Sequence, residues 1–164
     1  MTAQLWFFII ISLVIFNYLF SNLLDYINHR NWKDEIPNEL KDFYDKEKYK
    51  KAKNYALSKN KISLLSSSLS FLLVISLIVF NGYGIIDQFV SSIYISFESL
   101  QISSNFIQSG VFFLILFILN SIISIPFSFY NTFVIEEKFG FNKTTKLTFF
   151  IDIIKSTLLS FFIG

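Results

Sequence analysis

The chain of 164 residues is 53% apolar and 20% aromatic, with only five glycines and two prolines, so it is far more apolar than a soluble domain of this length. A formal net charge of +2 names no partner by itself, and the absence of cysteine excludes disulfides, thiolate zinc sites and thiol nucleophiles together. The phenylalanines, 22 in number, gather in long blocks separated by one concentrated charged stretch.

The first block, Leu5 to Leu24, carries no charge and predicts about 30 Å of helix, the thickness of the hydrocarbon core of a bilayer. It lacks a basic region before Leu5 and a small-x-small site after it, which argues against a cleaved signal peptide. From Asp25 to Lys61 the composition inverts, with ten basic and seven acidic residues, and the segment must lie outside lipid. Within this loop Pro37 suits the first turn of a short helix. Asp45 can cap a second helix whose Tyr49, Ala52, Tyr55 and Ala56 recur at helical spacing, lying along the membrane surface or against the rest of the protein.

Ile62 to Phe80 predicts the second span, with a serine row at Ser63, Ser66, Ser67 and Ser70 whose hydroxyls can bond the preceding turn or a neighbouring helix. Asn81, Gly82 and Gly84 break the pattern, and Ile85 to Gln108, with Asp87 and Glu98, predicts an interfacial helix and loop. Phe106 to Ile135 is about 45 Å long as a helix, more than the bilayer core, so it must tilt, bend or protrude, and Pro126 offers the bend. A polar loop from Glu136 to Lys146 follows, and Leu147 to Gly164 begins a fourth apolar segment that the chain end cuts short, as expected of a piece of a longer protein. The predicted class is an all-α, multi-pass membrane protein with three complete spans (about 5–24, 62–80 and 106–135), the start of a fourth (147–164) and a cytoplasmic helical loop.

Lysine and arginine placement sets the orientation: ten in the first loop, three between Glu136 and Lys146, none between Asn81 and Gln108 and none before the first span. Loops 25–61 and 136–146 are therefore expected in the cytoplasm and the N-terminus on the other side. In that setting Asn142-Lys143-Thr144 is a glycosylation pattern that never meets the glycosylation machinery.

A catalytic zinc needs three protein ligands, and this chain has no H-E-x-x-H. His29 is its one histidine and reads as a solvated or interfacial side chain. The loop lysines are balanced by carboxylates and form no basic stripe, so nucleic acid is not an expected partner; anionic lipid head groups are. Asp152 and Lys155 fall three residues apart inside the fourth apolar segment, where they share a helix face and can neutralise each other, either as a buried functional pair or as an interfacial pair within reach of the cytoplasmic head groups. Glu136 and Glu137 close the third span, either as the water boundary or as a clamp for a soluble domain. These residues alone leave room for a stand-alone membrane scaffold, or for a small transporter subunit using Asp87, Glu98 or Asp152.

Two strings carry a resemblance. From Pro126 the chain reads PFSFYNTFVIEEKFGFNKTTKLTFFIDIIK, with the core YNTFVIEEKFGFN, and the first loop reads IPNEL and then YKKAKNYALSKNKISLL. In that order they resemble the loop signature and the P-x-E-L, K-[AS]-x-x-Y-x-x-x-K patterns of the CAAX prenyl protease 1 family, with Ser58 where relatives often carry aspartate. The resemblance covers essentially the whole chain. It implies the N-terminal membrane portion of a seven-helix zinc metalloendopeptidase whose helices wall a water-filled chamber. The H-E-x-x-H zinc and the catalytic residues are expected further along the family's chain, so no catalytic or metal residue and no bound cofactor is expected in this one. The implied partners are the lipid bilayer, the downstream catalytic domain and a peptide or protein substrate. The residues it carries over are supporting ones: Asn131, Glu136, Glu137, Gly140, Phe141 and Asn142 in the loop signature, then Asp152 and Lys155. A glycine between two phenylalanines and before an asparagine reads as a tight turn with a hydrophobic anchor.

Accessibility reporters placed at Lys50 and Lys143 are expected to label from one and the same face of the membrane. Labelling from opposite faces would overturn the span assignment.

Overall fold

The computed structural model describes residues 2–32, 36, 45–95 and 104–163. Its elements are helical: α1 (Ala3–Arg30), α2 (Lys46–Val79), α3 (Gly82–Ile95), α4 (Ser104–Tyr130), a π-helical segment (Asn131–Glu136), the short α5 (Glu137–Phe139) and α6 (Lys146–Ile163). Among the described residues three helical stretches are long and apolar enough to cross a membrane: Gln4–Arg30, Lys46–Val79 and Ile107–Phe139. The expected helix at Pro37, and Glu98, lie outside the described residues.

At about 1.5 Å per residue, α1 and α2 are both longer than the roughly 30 Å of hydrocarbon they cross. The surplus of α1 carries Asp25, His29 and Arg30, and that of α2 carries the lysines from Lys46 to Lys61. Among the described residues no separate surface helix precedes the second span. Lys46 to Val79 holds no glycine or proline to break it, so the lysine-rich turns and the apolar turns run as one rod. His29 therefore stands within α1 rather than in a loop.

α2 is the hub, packing against α1, α3, α4 and the π segment. Against α1, Phe71 stacks on Tyr18 with ring centroids 4.1 Å apart, and the Tyr18 hydroxyl lies 2.7 Å from Ser68 Oγ. The interhelical hydroxyl thus belongs to Ser68, beside the expected serine row. At the far end of α2, Asn81 adopts a left-handed conformation and Gly82 opens α3. A Cβ on Gly82 would lie 2.6 Å from Leu77 Cδ2 and 3.0 Å from Leu77 Cα, so only glycine allows this close reversal. Pro126 sits inside α4, while the departure from α geometry comes after it, at Asn131.

Buried hydrophobic residues among those described are few: Val90, Ile135, Phe139 and Phe149. Leucine, isoleucine and phenylalanine side chains lie exposed along α1, α2 and α4, a continuous apolar surface that a soluble monomer does not tolerate. The chain is a multi-pass membrane protein, and its helices associate through rings and polar pairs more than through a dry core.

The start of α2 follows from its cap. Asp45 Oδ1 accepts the Lys48 backbone N–H at 2.7 Å, and the Lys48 ammonium stands 3.2 Å from Oδ2. The backbone N–H and then the ammonium hold the Asp45 carboxyl below its ordinary value. A depressed carboxyl stabilises the fold above its unfolded-state pKa and loses that contribution as pH falls through the folded value. Hydrogen-exchange protection of the first turn of α2, corrected for intrinsic rates, should therefore fall as pH drops below about 4. In Asp45→Ala it should be low at every pH. Equal protection in both proteins would remove the cap from the account.

Candidate functional site

The sequence E-E-K-F-G-F-N at the end of the third span builds a closed turn. Gly140 is left-handed (φ 74°), its N–H donates to the Glu137 carbonyl at 3.0 Å, and the Phe141 N–H donates to the Glu136 carbonyl at 2.8 Å. That pair of bonds is the Schellman arrangement, and glycine is favoured there because a Cβ strains the left-handed backbone. The Asn142 N–H is a second donor to the Glu136 carbonyl, at 3.2 Å.

The two adjacent glutamates are each tied to an asparagine five residues away, in opposite directions. Asn131 Nδ2 donates to Glu136 Oε1 at 3.3 Å across the π segment, and Asn142 Nδ2 donates to Glu137 Oε2 at 2.8 Å across the glycine turn. Asn142 Oδ1 also accepts the Thr144 N–H at 2.7 Å, and Thr145 then caps α6 by accepting the Thr148 N–H at 3.1 Å.

The turn docks on α2. Lys51, Tyr55 and Lys59 stand four residues apart on one helix face, and each meets it. Lys51 Nζ lies 5.3 Å from the centre of the Phe141 ring. The Tyr55 ring sits 5.5 Å from buried Phe139 and 4.8 Å from Phe141. The Tyr55 hydroxyl and Lys59 Nζ both donate to Glu136 Oε1 at 3.4 Å. The carboxylate oxygen thus takes three long contacts from three donors rather than one short one, each weaker than an ideal bond.

Behind this contact lies a polar cleft of about 740 Å³ between α1, α2 and α4. Asp25 and His29 reach it from α1, Lys59 and Asn60 from α2, Ser128 and Asn131 from the third span. Three members of the expected serine row, Ser63, Ser66 and Ser67, line it as well. His29 Nδ1 is buried without a hydrogen-bond partner among the described residues. Such a wall of hydroxyls, amides and opposed charges can hold a polar, hydrated occupant where the outer helix faces are apolar.

Of the residues singled out from sequence, Asn131, Glu136, Glu137, Gly140, Phe141 and Asn142 come together in the turn. Asp152 and Lys155 stand apart from it, exposed on α6, and among the described residues no ion pair joins them. α6 is held instead by buried Phe149, edge-on to Phe129 at 5.6 Å and to Phe133 at 5.5 Å. Tyr55, Lys59, Asp25 and His29 were not read as site residues. The signal for the first two was present, since K-x-x-x-Y-x-x-x-K sets all three on one helix face. Among the described residues no three histidine or carboxylate side chains gather as metal ligands, so the side chains here do not fit a catalytic zinc.

A family model described as CAAX prenyl protease N-terminal, five membrane helices, matches residues 25–164. The chain is similar to CAAX prenyl protease 1 of Saccharomyces cerevisiae, 30% identical over 97% of this chain and 36% of that protein. It is also similar to the probable CAAX prenyl protease 1 of Schizosaccharomyces pombe, 33% identical over 77% of this chain and 28% of that one. The crystal structure of S. mikatae Ste24p superposes with a TM-score of 0.80 at 30% identity, covering 97% of this chain and 37% of its own. The chain thus spans between 28% and 37% of the length of these relatives.

If the Glu136–Lys59 contact holds the turn to α2, Glu136→Lys should lower thermal stability in detergent by about 1–3 kcal/mol, since it faces Lys59 with a like charge and strands the other donors. Lys59→Glu added to it should restore part of the loss. Glu137→Ala, which removes only an exposed bond to Asn142, should cost less than about 1 kcal/mol. A double variant no more stable than Glu136→Lys alone would show that the pair is not energetically coupled.

Proposed function

Since this chain belongs to the CAAX prenyl protease family as its N-terminal membrane domain, we propose that it walls one side of an intramembrane chamber and supports the catalytic part of a zinc metalloendopeptidase. One observation carries this reading: the two sequence strings that mark the family meet in space through Tyr55, Lys59 and Glu136, and the open cleft beside that contact is lined largely by hydroxyl, amide and charged residues, while the outer faces of the same helices are apolar. Polar side chains kept among lipid-exposed helices cost free energy unless water, a partner group or a polar ligand meets them.

In this reading the spans at 5–24, 62–80, 106–135 and 147–164 are wall elements. The zinc and the hydrolytic groups come from chain beyond this domain, because the side chains described here do not fit that metal. Loops 25–61 and 136–146 face the cytoplasm: their contact supports one common side, and their 13 lysines and arginines favour that side being inside. The Glu136–Asn142 turn is the support for the catalytic part. Asp152 and Lys155, exposed on α6, meet later helices, since a charge turned to lipid at the bilayer centre costs roughly 2.5–3.5 kcal/mol or more. The relatives' name makes a prenylated CAAX peptide the first substrate to try.

The full-length protein, purified in detergent, is expected to cleave a farnesylated CAAX peptide, to lose that activity with a zinc chelator and to regain it with added zinc. Residues 1–164 alone should cleave nothing. A full-length protein inert toward farnesylated and unmodified peptides alike would remove the protease reading and leave the fold intact.

A further inference from the structure

The π segment has a geometric consequence that sequence spacing hides. In an α-helix, residues five apart lie about 140° apart around the axis and face away from each other. A turn closed by i to i+5 hydrogen bonds brings them to the same side. Asn131 and Glu136 are the two ends of such a segment, and their side chains meet at 3.3 Å on the face that α2 packs against. The same Glu136 oxygen receives Tyr55 and Lys59, while the Glu136 backbone carbonyl receives Phe141 and Asn142. One residue therefore joins α2 through its side chain and closes the following turn through its main chain.

We propose that Asn131–Glu136 is a positioning device with Asn131 as its positioning residue: the widened turn sets the Glu136 carboxylate between the Asn131 amide and α2, and so fixes where the Glu137–Asn142 turn stands beside the polar cleft. In a regular α-helix Asn131 and Glu136 point apart, and the carboxylate can face α2 or the amide but not both. Ile135, 5% exposed within the same segment, locks the register by packing. Phe139, one turn later, does the same against Tyr55. Asn131 also lines the cleft, so the groups that set the turn are part of the wall it borders.

The test uses the full-length protein in membranes, with Lys51→Cys and Phe141→Cys joined by a short bifunctional thiol reagent on a background without other cysteines. Asn131→Leu, which keeps the side-chain volume and removes the donor, should slow this cross-link several-fold. Asn131→Gln, which keeps the amide, should restore most of it. Deletion of Thr132, which returns the segment to α pitch, should abolish it. Asn22→Leu, whose amide serves only the Tyr18 carbonyl of its own helix, should leave it unchanged. A second pair, Tyr18→Cys with Ser68→Cys, reports the α1–α2 contact and should cross-link equally in all these proteins.

Parent-like Lys51–Phe141 cross-linking in both Asn131→Leu and the Thr132 deletion would overturn the proposal. So would Asn131→Gln behaving like Asn131→Leu, or loss of the Tyr18–Ser68 link in every Asn131 variant. Each outcome is read from a cross-link and stands whether or not the protein cleaves a peptide, so the positioning role and the protease reading succeed or fail separately.

Discussion

A half-buried carboxylate at the end of a long apolar helix must find donors, and the organisation of this domain at its polar end follows from how Glu136 finds them. Lipid offers none, and an unmet buried charge costs several kcal/mol. The donors come from two directions: Asn131 from the same helix, by way of a widened turn, and Tyr55 and Lys59 from α2. Once Glu136 is held, its carbonyl is placed to accept Phe141 and Asn142, and the glycine turn leads to the Thr145 cap that starts α6. Local sequence, interhelix contact and the path of the chain into the next helix thus share one residue.

The two ends of the bundle are stabilised by different means. At the Tyr18 level, a stacked ring pair and one short hydroxyl contact join α1 to α2. Membrane helices gain little from hydrophobic burial against each other, so such close contacts supply most of the attraction. At the Glu136 level the polar contacts are long, and rings supply the packing: Phe139 and Phe141 around Tyr55, and Phe129, Phe133 and Phe149 between the third span and α6. Weak individual bonds around one carboxylate are worth most as a set, because losing one donor leaves the others in a less favourable geometry.

The three long apolar helices were legible in the sequence because uncharged blocks of bilayer length admit few other readings. The turn around Gly140 was legible too, since glycine between phenylalanines and before asparagine has few other uses. The continuity of α2 was not: a change from lysine to leucine looks like a boundary, yet composition alone does not break a helix that lacks glycine and proline. The π segment was hidden for a different reason. Y-N-T-F-V-I-E contains no breaker, and the widened segment packs against α2, a tertiary neighbour that single-sequence periodicity does not register. Pro126, the residue with a strong local effect on a helix, lies inside α4, five residues before the widened turn begins.

The contact between the two family strings was the least accessible from sequence. The strings are separated by more than a full membrane crossing, and nothing in either names the other. Lys51, Tyr55 and Lys59 form a stripe of cation, ring and cation, while Glu136, Phe139 and Phe141 form its complement of anion and rings. Each stripe alone is an ordinary amphipathic face. Matched, they bring the lysine-bearing end of α2 and the turn before α6 to one end of the bundle, with the serine-lined cleft running inward from the same contact. Polar side chains in a membrane domain are costly to keep unless they meet partners, and the opposite, glycine-hinged end keeps its own, where Gln108 donates to Ser91 beside a pocket that Asp87 and Ser109 also line.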